Sequence, residues 1–205
     1  MDVNQIRELL RPFAELDRKL LDQTSIYIDL ILKWNTRVNL TAVRNPRDIV
    51  PRHFGESFFA ATHLLTSEAA ESVIDLGSGA GFPGIPLAMF APQAHVTLIE
   101  SNGKKAAFLN EVVRALKLSN VTVFSQRAET YPRTADLVTL RAVENFSKSA
   151  ELAVRMIAPA GRLALMIGTS QTEVAKASHP QLLWQPPIPV PGSKSRVLLA
   201  AKRLD

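Results

Sequence analysis

The run Val73-Ile74-Asp75-Leu76, followed at once by Gly77-Ser78-Gly79-Ala80-Gly81-Phe82-Pro83-Gly84, limits what this chain can fold into more than any other stretch. An apolar segment ends at an acid, and four glycines fall within the next residues. A second apolar run, His95-Val96-Thr97-Leu98-Ile99, ends in Glu100. Strand, glycine loop, helix, strand, acid is the front half of a Rossmann-like nucleotide site. Glycines let the backbone turn sharply and lie against a ligand where a side chain would collide. An acid closing the second strand can accept hydrogen bonds from both ribose hydroxyls. The expected ligand is built on adenosine.

Two registers compete for the loop. Gly79, Gly81 and Gly84 match the dinucleotide pattern G-x-G-x-x-G, a weak signal when it stands alone. Asp75-x-Gly77-x-Gly79-x-Gly81 is a register common in S-adenosylmethionine (SAM) methyltransferases. In a dinucleotide fold the strand feeds the first glycine almost directly, whereas here it ends well before Gly79. Pro83 and Pro86 sit where the following helix begins, as N-terminal prolines do. The SAM register is preferred. A dinucleotide site and a bare structural turn are the alternatives.

The 205 residues suffice for one domain, or one with an appendage. The absence of cysteine excludes disulfides, thiolate metal sites and a cysteine nucleophile. The covalent route to cytosine C5 methylation goes with the last of these. The N-terminus carries charges where a signal peptide needs an apolar core, and no apolar run reaches membrane-spanning length. A cytoplasmic protein with no membrane partner is expected, and a monomer. The net charge of +5 leans toward a polyanionic partner.

Residues 3–34 read as helices. Ile6, Leu9, Leu10, Phe13, Leu16 and Leu20 recur at helical spacing, and Pro12 should bend or break the first of them. A further helix is expected from about Asp48 to Leu65. Strands are then expected at 72–76, 95–100, 121–125, 136–140 and 162–167, with helices at 84–90, 103–117 and 147–157 between them. Strands separated by helices imply parallel βαβ units. Segments 182–184 and 196–201 should form a last strand pair, completing a seven-stranded sheet. The fold class is α/β, a Rossmann-like methyltransferase fold. A helical region over 1–70 should pack on a SAM-dependent domain over 71–205.

Strand ends open onto the ligand crevice in such sheets. Asp75 can order the glycine loop or hold the ammonium of the SAM methionine. Glu100 is the candidate ribose acid. Glu129, on the loop after the third strand, can read the adenine edge with a backbone N–H. Arg141, ending the fourth strand, should face the SAM carboxylate, the methyl acceptor or an RNA phosphate.

Lys33, Arg37, Arg44, Arg47, Arg52 and His53 gather ahead of the domain, interleaved with Asn39, Thr41 and Asn45. That mixture suits phosphate and base-edge contact, although a solvated helix face has the same composition. Histidines at metal-ligand spacing are missing, so no metal site is expected. Trp34 and Trp184 read as core.

Several pieces together resemble a known family. They are Trp34-Asn35 with Val38-Asn39-Leu40-Thr41-Ala42-Val43-Arg44, Arg52-His53-Phe54 with Glu56-Ser57, the Gly77–Pro86 loop, and Leu140-Arg141-Ala142. The pattern is similar to the bacterial 16S ribosomal RNA guanine-N7 methyltransferases, also called glucose-inhibited division protein B. The resemblance implies SAM contacts at Gly77, Phe82, Ala128, Glu129 and Arg141. It also implies methylation of the guanine at position 527, in the 530 loop of 16S RNA, with RNA or the small subunit as partner. The chain departs from the family at three places: Glu56 replaces the usual aspartate, Leu140 the usual serine, and Ile167 a frequent lysine.

The expected function is therefore SAM-dependent methylation of a 16S RNA guanine at N7. Asp75, Gly77, Gly79, Gly81, Phe82, Glu100, Ala128, Glu129 and Arg141 are the expected cofactor residues, with Arg141 positioning and no general base. Arg44, Arg47, Arg52 and His53 are the expected RNA residues. The rivals are a methyltransferase for small molecules or proteins, and a non-catalytic nucleotide-binding protein on the ribosome.

Overall fold

The computed structural model describes residues 1–65, 71–141 and 146–204. The expected domain boundary at residue 70, and Ala142 of the fourth-strand motif, lie outside the described residues.

Helix α1 (Val3–Leu10) turns Ile6 and Leu10 inward and ends before Pro12. Helix α2 (Arg18–Asn35) is capped by Asp17, whose carboxylate accepts from the Leu20 N–H at 2.8 Å. Its buried face runs Leu21, Thr24, Tyr27, Ile28, Ile31, a helical stripe. The single helix expected from Asp48 to Leu65 is instead three segments. Helix α3 (Pro46–Ile49) leads into a wide π-type turn (Val50–Gly55) and then helix α4 (Glu56–Leu64). Pro51 has no N–H for an α-helical bond, and wider turns arise where that ladder is interrupted. Arg52 and His53 lie on this turn.

The sheet follows as strands β1 (Ser72–Leu76), β2 (His95–Ile99), β3 (Val121–Phe124), β4 (Ala135–Arg141) and β5 (Ile157–Gly168). Helix α5 (Gly84–Phe90) joins β1 to β2, α6 (Gly103–Ala115) joins β2 to β3, and α7 (Phe146–Arg155) precedes β5. Helix α8 (Thr172–Ser178) has only Thr172 and Ala175 buried, too short a stripe to read from sequence. The chain closes with β6 (Leu182–Trp184), β7 (Ile188–Pro189) and β8 (Arg196–Arg203).

Strand order is β3-β2-β1-β4-β5-β8-β6, with β7 also on β8. The first five strands run parallel, and β8 is antiparallel to β5. The described residues thus contain eight strands rather than the expected seven. The difference is small: β6 and β7 follow one edge of β8, and the register slips between Trp184↔Ala201 and Ile188↔Leu198. Pro186 and Pro187 lie in that gap; with no N–H to donate, they break one edge strand into two.

One apolar cluster joins Ile6, Leu10, Tyr27 and Ile31 of the N-terminal helices to Val96, Leu98 and Phe108 beneath the sheet. A second covers the other face through Ile74, Val138, Leu163 and Ala153. Strand order reverses between β1 and β4, the point at which such sheets open a crevice at their C-terminal ends.

Candidate active site

Gly77, Glu100, Ala128 and Glu129 come together at the C-terminal ends of β1, β2 and β3. With Leu76 and Ile99 they line a cavity of about 310 Å³. Gly77, Gly79 and Gly81 have φ of 70°, 57° and 88°, a region open to glycine and strained for other residues. A Cβ added at Gly79 would meet only the Gly77 carbonyl, at 3.8 Å, so this face of the loop is open to a ligand. Gly81 is different. A Cβ there would strike the Tyr27 hydroxyl, so its bareness serves packing against α2.

Glu100 is almost buried, at 8% exposure. Its carboxylate accepts from the Gly79 N–H at 2.9 Å and from the Asn102 N–H at 2.8 Å. One acid thereby fixes the glycine loop to the start of α6. A carboxylate offers about four acceptor positions, so lone pairs remain for hydroxyl donors in the cavity. Glu129 is exposed on the short 3-10 turn Ala128–Thr130 and stands 3.8 Å from Lys148.

Asp75 lies beneath the loop, not on the cavity wall. Its two oxygens accept from the Gly84 N–H at 3.2 Å and from the Thr139 hydroxyl at 2.8 Å. Of the two roles open to it in the sequence, the geometry favours ordering the loop. Burial raises its pKa to about 6, against the lowering effects of Thr139, Ser78, Gly84 and Arg141.

Arg141 was expected at an open crevice; it is instead 8% exposed and paired. Its guanidinium donates to the Arg52 carbonyl at 2.7 Å and to the Glu56 carboxylate at 3.0 Å, and lies 3.1 Å from His53 Nδ1. Its Nε has no partner among the described residues. Burial lowers its pKa to about 10, with Glu56 opposing and Arg196 and Arg52 reinforcing. Glu56 is also 2.8 Å from Arg196 and 3.8 Å from Arg52, so one buried carboxylate serves three arginines.

His53 was grouped with the surface cations, and the structure turns it inward. Its Nε2 is 2.7 Å from the Thr41 hydroxyl, and its ring stacks on Phe82 with centroids 5.1 Å apart. Burial, then Arg141, Arg52 and Arg196, lowers its pKa to about 3, so the imidazole is neutral at physiological pH. Phe82 also stacks on Tyr27 at 5.3 Å and has the Arg141 guanidinium 5.9 Å from its ring centre. Arg44 and Arg47 are exposed and have no carboxylate partner among the described residues. Groups of acids or histidines able to hold a metal ion are absent among the described residues.

The family model for rRNA small subunit methyltransferase G matches residues 20–185. This chain belongs to that family. It is 37% identical over 203 residues to the ribosomal RNA small subunit methyltransferase G of Roseiflexus sp. (strain RS-1), covering 92% of this chain and 86% of the relative. The protein of the same name from Xylella fastidiosa (strain 9a5c) is 40% identical over 177 residues, covering 81% and 82%. Among solved structures, a ribosomal protein L11 methylase from Lactobacillus delbrueckii subsp. bulgaricus superposes with TM-score 0.64 at 11% identity, covering 75% and 79%. A SAM-dependent methyltransferase from Aquifex aeolicus gives 0.58 at 18%, covering 70% and 89%. At those identities the likeness is one of fold.

Three residues of the site were not singled out in the sequence. Tyr27, fully buried in α2, donates its hydroxyl to the Ala80 carbonyl and so fastens the glycine loop to the N-terminal helices. Thr139 bonds Asp75 from the neighbouring strand. Arg196 stands opposite Gly168 at the end of β5 and binds Glu56. Ile167, where the resemblance leads to the expectation of a lysine, is buried in the second core; Arg196 is a cation at that sheet end, across β5 from Arg141. Periodicity alone marks Tyr27 as core, and nothing local in the sequence marks Arg196.

Proposed function

We propose that this chain transfers the methyl group of SAM to N7 of a guanine in 16S ribosomal RNA, at position 527 of the 530 loop. One observation carries the reading: in a member of this family, a cavity opens at the C-terminal ends of β1, β2 and β3, beside a glycine loop that is bare at Gly79 and a strand-end glutamate. The adenosine moiety fits there. Glu100 accepts from the ribose, and Ala128 and Glu129 border the adenine. Gly77 and Gly79 let the backbone approach, while Asp75 holds the loop from below. Phe82 and Arg141 form the wall toward the acceptor, with Arg141 as a positioning residue.

SAM supplies an electrophilic methyl with its own leaving group. The chain's task is to align guanine N7, carbon and sulfur, and to hold water away. Guanine N7 carries an in-plane lone pair and no proton at neutral pH, so no general base is required. A loop guanine is also splayed out at less cost than a paired one. Neutral His53 against Phe82 is a packing element in this scheme. The single-turnover methylation rate should therefore be nearly flat from about pH 6.5 to 9, unlike the bell-shaped profile of acid–base catalysis. His53→Gln should lower the rate modestly and leave the profile flat. A midpoint in the histidine range that the substitution abolishes would make His53 a base and refute N7 as the acceptor.

Transfer of labelled methyl from SAM to 16S RNA, free and in small subunits, tests the activity directly, with chemical cleavage at N7-methylguanine as the readout. Label on a small molecule or a protein instead, or on no acceptor, would overturn the reading. Arg44, Arg47 and Arg52 supply the RNA-facing charge. Changing all three to glutamine should flatten the salt dependence of RNA binding by about 0.7–0.9 in log–log slope per lost phosphate contact. SAM affinity should be unchanged. An unaltered slope would make the cluster a solvated face.

A further inference from the structure

A second cavity, larger than the one beside the glycine loop, opens elsewhere on the described residues. It measures about 660 Å³ and lies between the π-type turn and the loop joining β7 to β8. Its apolar lining is Phe13, Ala42, Val43, Pro51 and Pro191. Arg44 and Arg52 reach it from one side, and Gly192 and Ser193 from the other. The volume lies within the range of pockets that enclose a small ligand, roughly 300–1,000 Å³.

Three features give the cavity its chemistry. First, Gly55 has no Cβ; one built there would lie 2.7 Å from the Phe13 ring, so the glycine admits that ring against the turn. Second, positive charge exceeds negative. Arg44 and Arg52 line the cavity with Asp48 and Glu56, and Glu56 is already shared with Arg141 and Arg196. Four arginines thus stand against two carboxylates. Third, the far lip is a tight turn. Val190 donates to the Arg196 carbonyl at 3.0 Å and Ser193 to the Val190 carbonyl at 3.1 Å. Gly192 at its tip has φ 71° and open space where a side chain would be. Ser193, Lys194 and Ser195 follow it, a hydroxyl–cation–hydroxyl run.

An aromatic and apolar floor with arginines at the rim matches a single-stranded nucleotide. Its base has a π-face to stack, and its phosphate seeks guanidinium and hydroxyl donors. We infer that this cavity receives a nucleotide of the acceptor RNA flanking the methylated guanine. The loop of residues 190–195 forms the second jaw of the RNA cleft. Resting on the proposed RNA methylation, this adds a subsite and a segment of the chain to it. The cavity shares Arg52 and Glu56 with the Arg141 cluster, so a nucleotide held here neighbours the reacting guanine without entering the crevice.

The test uses the full chain, SAM and a 16S RNA fragment carrying the 530 loop. Ser193→Glu places a negative charge on the lip, away from the SAM cavity. It should raise both the Kd for the fragment and the KM for RNA about five- to tenfold at low salt, an effect that screening diminishes. Ser193→Lys should shift both the other way. Ser119→Glu, an equal charge change between α6 and β3 at the opposite end of the strands, should leave them within twofold. SAM affinity and thermal midpoint should match the parent chain in all three. Equal Kd and KM for Ser193→Glu and Ser119→Glu would overturn the subsite. If Ser193→Glu does not fold, the lysine variant decides: an unchanged Kd overturns it. A parent chain that binds the fragment but transfers no methyl to any 16S substrate would refute the activity, while the Kd comparison still judged the cavity.

Discussion

Replacing Glu56 by alanine should cost the fold roughly 3–5 kcal/mol, the usual penalty for breaking a buried ion pair from one side. Glu56 is 3% exposed and is the shared acceptor of Arg141 at 3.0 Å and Arg196 at 2.8 Å. Without it, Arg141 keeps, among the described residues, the Arg52 carbonyl, His53 and the Phe82 ring as partners, and its Nε has none among them. Two guanidiniums would then face each other across a cavity that water fills imperfectly. For a chain of this length the thermal midpoint should drop by roughly 10 °C. Glu56→Gln, which retains an acceptor oxygen of the same reach, should cost less than alanine. Urea titrations of the two variants check both statements. A loss below about 1 kcal/mol for alanine would mean that solvent already reaches the arginines, and the buried hub would be refuted.

The elements around the glycine loop were legible because each is announced locally. Strand β1 is an apolar run stopped by glycine, and Pro83 and Pro86 mark the start of α5. Tyr27, Thr139 and Arg196, and the role of Glu56 as a shared partner, were illegible in the sequence for one common reason. Tyr27 meets Ala80 at a sequence separation of 53, and Arg141 meets Glu56 at 85 and Arg52 at 89. A residue whose polar tip is satisfied that far along the chain carries no periodic signature of the bond. Tyr27 fits the apolar stripe of α2 by its ring, so its hydroxyl goes unseen. Arg141 stands out because a cation ending an apolar strand is hard to explain as core, but its partner lies 85 residues away and nothing local points to its burial. The π-type turn was missed because Pro51 inside a helical pattern reads equally as a kink or an end. Its consequence, the inward rotation of His53, moved one residue from the expected RNA face into the wall beside Phe82.

Asp75 and His53 should drive stability in opposite directions as pH changes, and removing each in turn should expose the other. Burial, the first cause in both cases, raises Asp75 from 3.8 to about 6 and lowers His53 from 6.5 to about 3. For Asp75 the protonated form is favoured by folding. Its contribution is complete below about pH 4 and is lost as pH rises through 6. For His53 the neutral form is favoured. Its contribution is complete above pH 6.5 and is lost as pH falls toward 3. Between about pH 4 and 6 the native state of one group holds a proton its unfolded form releases, and the other does the reverse. Each is worth about 1.4 kcal/mol per pH unit there, so in the parent chain the two largely cancel. Asp75→Asn can keep the geometry: its carbonyl accepts from Gly84, and its amide donates to Thr139, whose hydroxyl is 3.4 Å from the Ile74 carbonyl and can donate there. That variant should lose stability on acidification more steeply than the parent. His53→Gln, which still reaches Arg141 and Thr41, should lose less than the parent or gain. The slopes of unfolding free energy against pH should diverge by roughly 2–3 kcal/mol per unit between the two variants over that window. Parallel slopes would show that neither group titrates differently in the folded chain, and that the burial around the glycine loop is wetter than its geometry implies.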